Sequence, residues 1–96
     1  MFKLKRMKKH FNIHVTGRVQ GVGFRYSARN RAMAYGLKGF VRNRADGSVS
    51  IEIEGSPENC DAFIQWCRKG PDFGRVDNVI VNESELKDYS DFSIRH

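Results

Sequence analysis

The sequence predicts an α+β sandwich, a β-α-β-β-α-β chain closed by a short extra strand. Three observations predict it. Apolar and polar residues alternate in several short runs, as half-buried strands require. In two longer runs the apolar residues recur at helical spacing. Both helical stripes need a partner, and one face of a single sheet can serve both.

The elements follow in order. Phe11, Ile13 and Val15 fall on one face of a first strand, with Asn12, His14 and Thr16 on the other. After a glycine-containing stretch, Phe24, Ala28, Ala32 and Tyr35 recur at helical spacing, and Gly36 stands where a C-terminal cap is wanted. Residues 37–43 and 48–54 flank Ala45-Asp46-Gly47, and Asp-Gly between two such runs signals an antiparallel hairpin. Ser56 then caps a second helix with Pro57 at its first position, Glu58 in its first turn and a stripe of Cys60, Phe63, Ile64 and Cys67. Arg68, Lys69, Gly70 and Pro71 end it. Val79 and Val81 mark a fourth strand, Phe92 and Ile94 a short last one. This order is that of a ferredoxin-like fold, with a mainly antiparallel sheet and both helices on one face.

Ninety-six residues make one compact domain, placed at residues 10–96 behind a basic tail over 1–9. Residues Lys3, Lys5, Arg6, Lys8 and Lys9 supply five of the seventeen basic side chains, and none of the eleven acids lies among them. The net charge of +6 therefore belongs to the tail, read as a solvated arm, while the body is near neutral. That argues against a nucleic-acid surface. No segment approaches the roughly 18 apolar residues of a membrane span. Cys60 and Cys67 are spaced wrongly for a zinc site and too far apart on a helix to bridge, so both are expected reduced in the core of a cytoplasmic protein. The first residues have no apolar stretch and cleavage site of the secretory kind, and nothing suggests an oligomer interface, so a monomer is expected.

Gly17-Arg18-Val19-Gln20-Gly21-Val22-Gly23-Phe24-Arg25 lies where strand pattern gives way to helix pattern. Glycines let backbone N–H groups turn inward on one small ligand, the helix adds the positive end of its dipole, and Arg25 adds a planar two-pronged donor. The segment is not a Walker loop, because Phe24 and Arg25 follow Gly23 where Lys and Ser or Thr are needed. Nor is it a dinucleotide fingerprint, which needs a small residue at Tyr26. What remains is a cradle for one phosphoryl group, formed by Gln20, Gly21, Val22, Gly23, Phe24 and Arg25. Equally, the loop alone fits a turn that merely joins strand to helix.

Gly39-Phe40-Val41-Arg42-Asn43 runs into Asp46-Gly47. With the first and second strands close in such a fold, Asn43 can face the loop and orient a water beside bound phosphate without adding negative charge. Its other reading is a side-chain bond that stabilises the hairpin.

Together these segments, with Gly55 and the terminal Phe92-Ser93-Ile94, resemble the acylphosphatase family over about residues 10–96. The resemblance implies a hydrolase of carboxyl-phosphate anhydrides that uses no metal and no cofactor. Arg25 would bind phosphate and Asn43 would position water. The implied partners are a small acyl phosphate and its product, inorganic phosphate. The sequence departs from the usual pattern at Ser27, Arg44 and His96, none of which is an implied catalytic group. Arg18, Arg42 and Arg44 are candidates for enriching anions near the mouth. His10, His14 and His96 are expected to be exposed or structural. The alternative function is a non-catalytic accessory or nucleic-acid-binding module, because RNA-recognition domains share the element order. Lys38-Gly39-Phe40 begins their strand motif, but Arg42 and Asn43 break it.

Overall fold

The computed structural model describes residues 7–96, so Lys3, Lys5 and Arg6 of the expected tail lie outside the described residues. Strand β1 (Lys9–Arg18) begins two residues before Phe11, because Lys9 and His10 already pair with Gly55 and Glu54. Helix α1 (Phe24–Ala34), β2 (Lys38–Asn43), β3 (Val49–Gly55), α2 (Pro57–Lys69), β4 (Arg75–Ser84) and β5 (Phe92–Arg95) follow. The sheet order is β4-β1-β3-β2-β5; every neighbouring pair is antiparallel except β2 and β5, which run parallel. This is the expected ferredoxin-like arrangement, with the short last strand added beside β2.

One face of the sheet carries Ile13, Val15, Val41, Val49, Ile51 and Ile53, all buried. Against them pack Phe24, Ala28 and Ala32 of α1 and Cys60, Phe63, Ile64 and Cys67 of α2, the stripes read from spacing. Phe63 and Trp66 tilt against each other, and Phe24 meets Trp66 from α1. The two helices end differently. The N-terminus of α2 is closed by Ser56, whose hydroxyl accepts from Asn59 N–H at 3.3 Å, with Pro57 and Glu58 following. The N-terminus of α1 has no side-chain cap and no acid in its first turn.

At Gly39 the backbone has φ +140°, and a Cβ there would run into the Glu52 carbonyl of the neighbouring strand. Only glycine lets β2 lie this close to β3.

Because β4 and β5 lie at opposite edges, the segment between them has to cross the sheet. Glu54 holds it there. Its carboxylate accepts from the backbone N–H groups of Lys87, Asp88 (3.2 Å) and Tyr89 (2.9 Å), and its Oε2 lies 2.8 Å from His10 Nδ1. The other ring nitrogen of His10 faces Glu52 and Asn12 oxygens, both at 3.0 Å. The ring thus joins the carboxylates of two residues of β3, Glu52 and Glu54. His10 was expected among exposed or structural histidines, and it is structural, with none of its surface exposed.

Two outcomes are expected. Gly39→Ala should lower stability by about 2–4 kcal/mol, read from urea unfolding, since it adds both a clash and a strained φ. The second concerns acid. Burial raises the Glu54 pKa, but bonds from Lys87 N–H, His10 and Tyr89 N–H outweigh that and hold it below the usual 4.5. Its contribution to stability is then complete above that value and lost as pH falls through the lower folded value. Glu54→Gln should flatten the fall of stability with pH below 4.5 in acid titrations.

Candidate active site

The site begins where β1 ends. Its register against β4 shifts between Thr16 and Gly17, and a Cβ at Gly17, φ +131°, would strike the Arg75 carbonyl. The chain leaves the sheet after Arg18, still paired with Arg75, and buried Val19 anchors the connection to the core. Gly21 and Gly23 follow with φ of 74° and 75°. Space around both is open, so glycine is required by the turn and not by crowding. Left-handed residues alternating with ordinary ones turn successive N–H groups toward one concave side. Gly23 is also the N-cap of α1, and the first helical bond is Ser27 N–H to its carbonyl at 3.0 Å. The early amides of α1 therefore have no cap, which leaves them free for an anion.

The side chains of this segment divide the work. Phe24 is core and Val22 packs against it, so these residues offer only their amides to a ligand. Gln20 does something sequence reasoning missed. Its Nε2 donates to the carbonyls of Arg44 (2.7 Å) and Ser48 (2.8 Å), tying the loop to the β2–β3 hairpin. This tie bridges a gap that the expected closeness of the first two strands concealed. β3 lies between them, and Val15, Val49 and Asn43 form one row across three strands. Local patterns carry no signal for such a contact, since Gln20 and Ser48 are 28 residues apart.

Asn43 ends β2 on the helix-facing side of the sheet, and its Oδ1 is buried without a hydrogen-bond partner. It is not the residue that fastens the hairpin. Asp46 does that, accepting from Ser48 N–H (3.0 Å) and Oγ (2.5 Å), bonds that hold its carboxyl below the usual range. A buried carbonyl oxygen left without a donor destabilises the fold by about 1–3 kcal/mol, which makes it a strong acceptor for a water.

Arg25 projects from the first turn of α1 toward β5. Its Nη1 donates to the Arg95 carbonyl at 3.3 Å and to His96 Nδ1 at 3.2 Å, in the tautomer protonated at Nε2. Arg95 pairs with Arg42 in register, so the carbonyl that Arg25 reaches lies one strand away from the end of β2. His96 thus touches the site. Alternation in Phe92-Ser93-Ile94 revealed the strand, but nothing local gave its partner. Arg42 is exposed on the open face, opposite Asn43, while Arg44 contributes a carbonyl to the Gln20 tie. A cavity of about 610 Å³ between the helices is lined by Val22, Ser27, Trp66 and Phe73, not by Arg25 or Asn43.

Among the described residues, no three His, Cys, Asp or Glu side chains gather as metal ligands. Both thiols are buried and free; burial, aided by Glu54, pushes Cys60 up to about 11, and burial raises Cys67 further. Neither is an activated nucleophile. What the arrangement offers is an amide nest, a guanidinium and an amide carbonyl.

The acylphosphatase family model matches residues 11–94, which hold every one of these groups except His96 and the carbonyl of Arg95. The chain belongs to the acylphosphatase family. It is 43% identical over 91 residues to an acylphosphatase of Thermococcus kodakarensis, covering 95% of this chain and 98% of that one. It is also similar to the crystal structure of acylphosphatase from Bacillus subtilis, with a TM-score of 0.89 and 40% identity over 94% of this chain and 100% of that one. Full-length HypF in a phosphate- and nucleotide-bound form contains a similar unit, with a TM-score of 0.85 and 35% identity over 94% of this chain but 12% of HypF. As an acylphosphatase, the protein hydrolyses acyl phosphates to carboxylate and inorganic phosphate.

The Gln20 tie should be separable from the fold. Gln20→Ala is expected to unfold with a stability lower by about 1 kcal/mol. It should lose about tenfold in kcat/KM, because the loop and Asn43 are no longer held in one geometry.

Proposed function

We propose that the amides of Gln20, Gly21, Val22, Gly23, Phe24 and Arg25, with the Arg25 guanidinium, bind the phosphoryl group, and that Asn43 orients the attacking water. The observation that carries this reading is the buried, unpartnered Oδ1 of Asn43 at the end of β2. A water donating to it is held by one hydrogen with its oxygen lone pair free. The uncapped start of α1 supplies the complementary half.

An acyl phosphate is already activated, so three tasks remain: hold the phosphoryl oxygens, stabilise their charge as the bond to the carboxylate breaks, and place water in line. As the water oxygen bonds to phosphorus, the bond from phosphorus to the acyl oxygen breaks and the electron pair leaves with the carboxylate. The water's proton passes to a phosphoryl oxygen. No enzyme base is needed, and neither is a metal ion.

Other features support the remaining parts of the reading. Free buried thiols suit a reducing cytoplasm. Exposed apolar side chains are spread over α1 (Tyr26, Met33), the α2–β4 connection (Phe73), β4 (Ile80) and the crossover (Leu86), which suits a monomer. Against nucleic acid stands Phe40. It is 6% exposed and covered by the Arg95 guanidinium at 3.9 Å, so it offers no free face to a base. Against an accessory role stands the presence of both Arg25 and Asn43 in a chain of this length.

Arg25→Ala and Asn43→Ala are each expected to keep the fold and to lose about 10²-fold or more in kcat with benzoyl phosphate. Wild-type turnover should be unchanged by excess chelator. Near-normal turnover in either folded variant would overturn the assignment.

A further inference from the structure

We infer that Glu54, near the opposite end of the sheet, positions Arg25 through the β4–β5 crossover. The inference rests on Arg25 being the phosphoryl ligand proposed above. Glu54 is 4% exposed and is itself the guest of an anion nest, because three successive amides, of Lys87, Asp88 and Tyr89, converge on its carboxylate. Asp88 takes φ +56° to make this possible. The His10 ring braces the same carboxylate from β1. Nothing in the catalytic reading uses any of these groups.

From this anchor the contacts run without a break to the site. Glu52, beside Glu54 on the same face of β3, accepts from the Tyr89 hydroxyl at 2.9 Å and from Lys87 Nζ at 3.1 Å. The Tyr89 ring, fixed at both ends, meets Phe40 edge-on, with centroids 5.9 Å apart at 86°. The Arg95 guanidinium stacks on Phe40 at 3.9 Å and lies 5.8 Å from Tyr89. The carbonyl of Arg95 then accepts from Arg25. β5 has four residues and a single neighbour, β2, so pairing alone holds it weakly. Buried Phe92, packed on Phe63, and the Gly39 N–H to Asp91 carbonyl bond, 2.8 Å, fix its entry, and the crossover's Tyr89 braces its far end through Phe40 and Arg95. With β5 held, Arg25 gives up its rotamer freedom before substrate arrives and not upon binding. Glu54 and Tyr89 are therefore positioning residues, acting through β5.

The test is a set of double-mutant cycles on the full chain, with benzoyl phosphate as substrate. Tyr89→Leu and Glu54→Gln are each made alone and combined with Arg25→Ala, and Tyr89→Phe serves as the conservative control. With Arg25 present, Tyr89→Leu and Glu54→Gln are expected to lower kcat/KM about fivefold, mainly through KM, and Tyr89→Phe to retain most of the wild-type value. In the Arg25→Ala background the same changes should have no further effect on kcat/KM. Equal losses in both backgrounds, or no loss in either, would overturn the inference. Should Glu54→Gln fail to fold, Tyr89→Leu decides, because Tyr89 is half-exposed and outside the core. Arg25→Ala alone reports on the catalytic reading: a normal rate there would remove that reading, whatever the cycles give.

Discussion

The site depends on one carboxamide. Gln20 reaches from the loop after β1 to two carbonyls of the β2–β3 hairpin, at 2.7 and 2.8 Å. The amide nest and Asn43 belong to strands that do not touch, separated by β3 at about 10 Å across two strand spacings. Without a rigid link across that gap, a ligand held by one would not face the other. The hairpin makes the link possible by being rigid itself: Asp46 closes its tip through Ser48, and Arg44 N–H donates to the Ser48 carbonyl at 2.8 Å. The two carbonyls that Gln20 needs are thereby fixed in position.

The two helices show how the fold divides stability from chemistry. α2 carries a serine cap, a first-turn acid, basic residues in its last turn and a terminal glycine, each of which stabilises a helix end. α1 lacks an acid and a side-chain cap at its start, the features that would compete with an anion. Asn43 repeats the pattern at the end of β2, where a buried acceptor goes without a donor. Polar groups left open in this way at a site are offset by good packing elsewhere. Here the offset lies in the apolar layer from Ile13 to Phe92.

Much of this was legible in the sequence, and the reason is locality. The alternation of Phe11, Ile13 and Val15, the stripe of Cys60, Phe63 and Cys67, and the Asp-Gly turn each express their structure within a few residues. The glycine loop was legible for the same reason, since positive φ at Gly21 and Gly23 needs only glycine. Long-range facts were not. Nothing near Gln20 announces Ser48, and nothing near His96 announces Arg25. His10 sits on the polar face of β1 as alternation requires, yet it is buried, because the crossover from a distant edge covers it. Asn43 and Arg42 are neighbours in sequence on opposite faces of the sheet, so only one of them can serve the site.

The uncapped start of α1 also bears on how the protein is handled. On the reading proposed above that helix end receives phosphate, and a ligand that binds only the folded state raises its stability. At a concentration one hundred times the dissociation constant the gain is about 2.7 kcal/mol. On that reading, the thermal midpoint of this enzyme would rise with the phosphate concentration of its buffer. On the same reading, the product the enzyme releases would also protect it from unfolding.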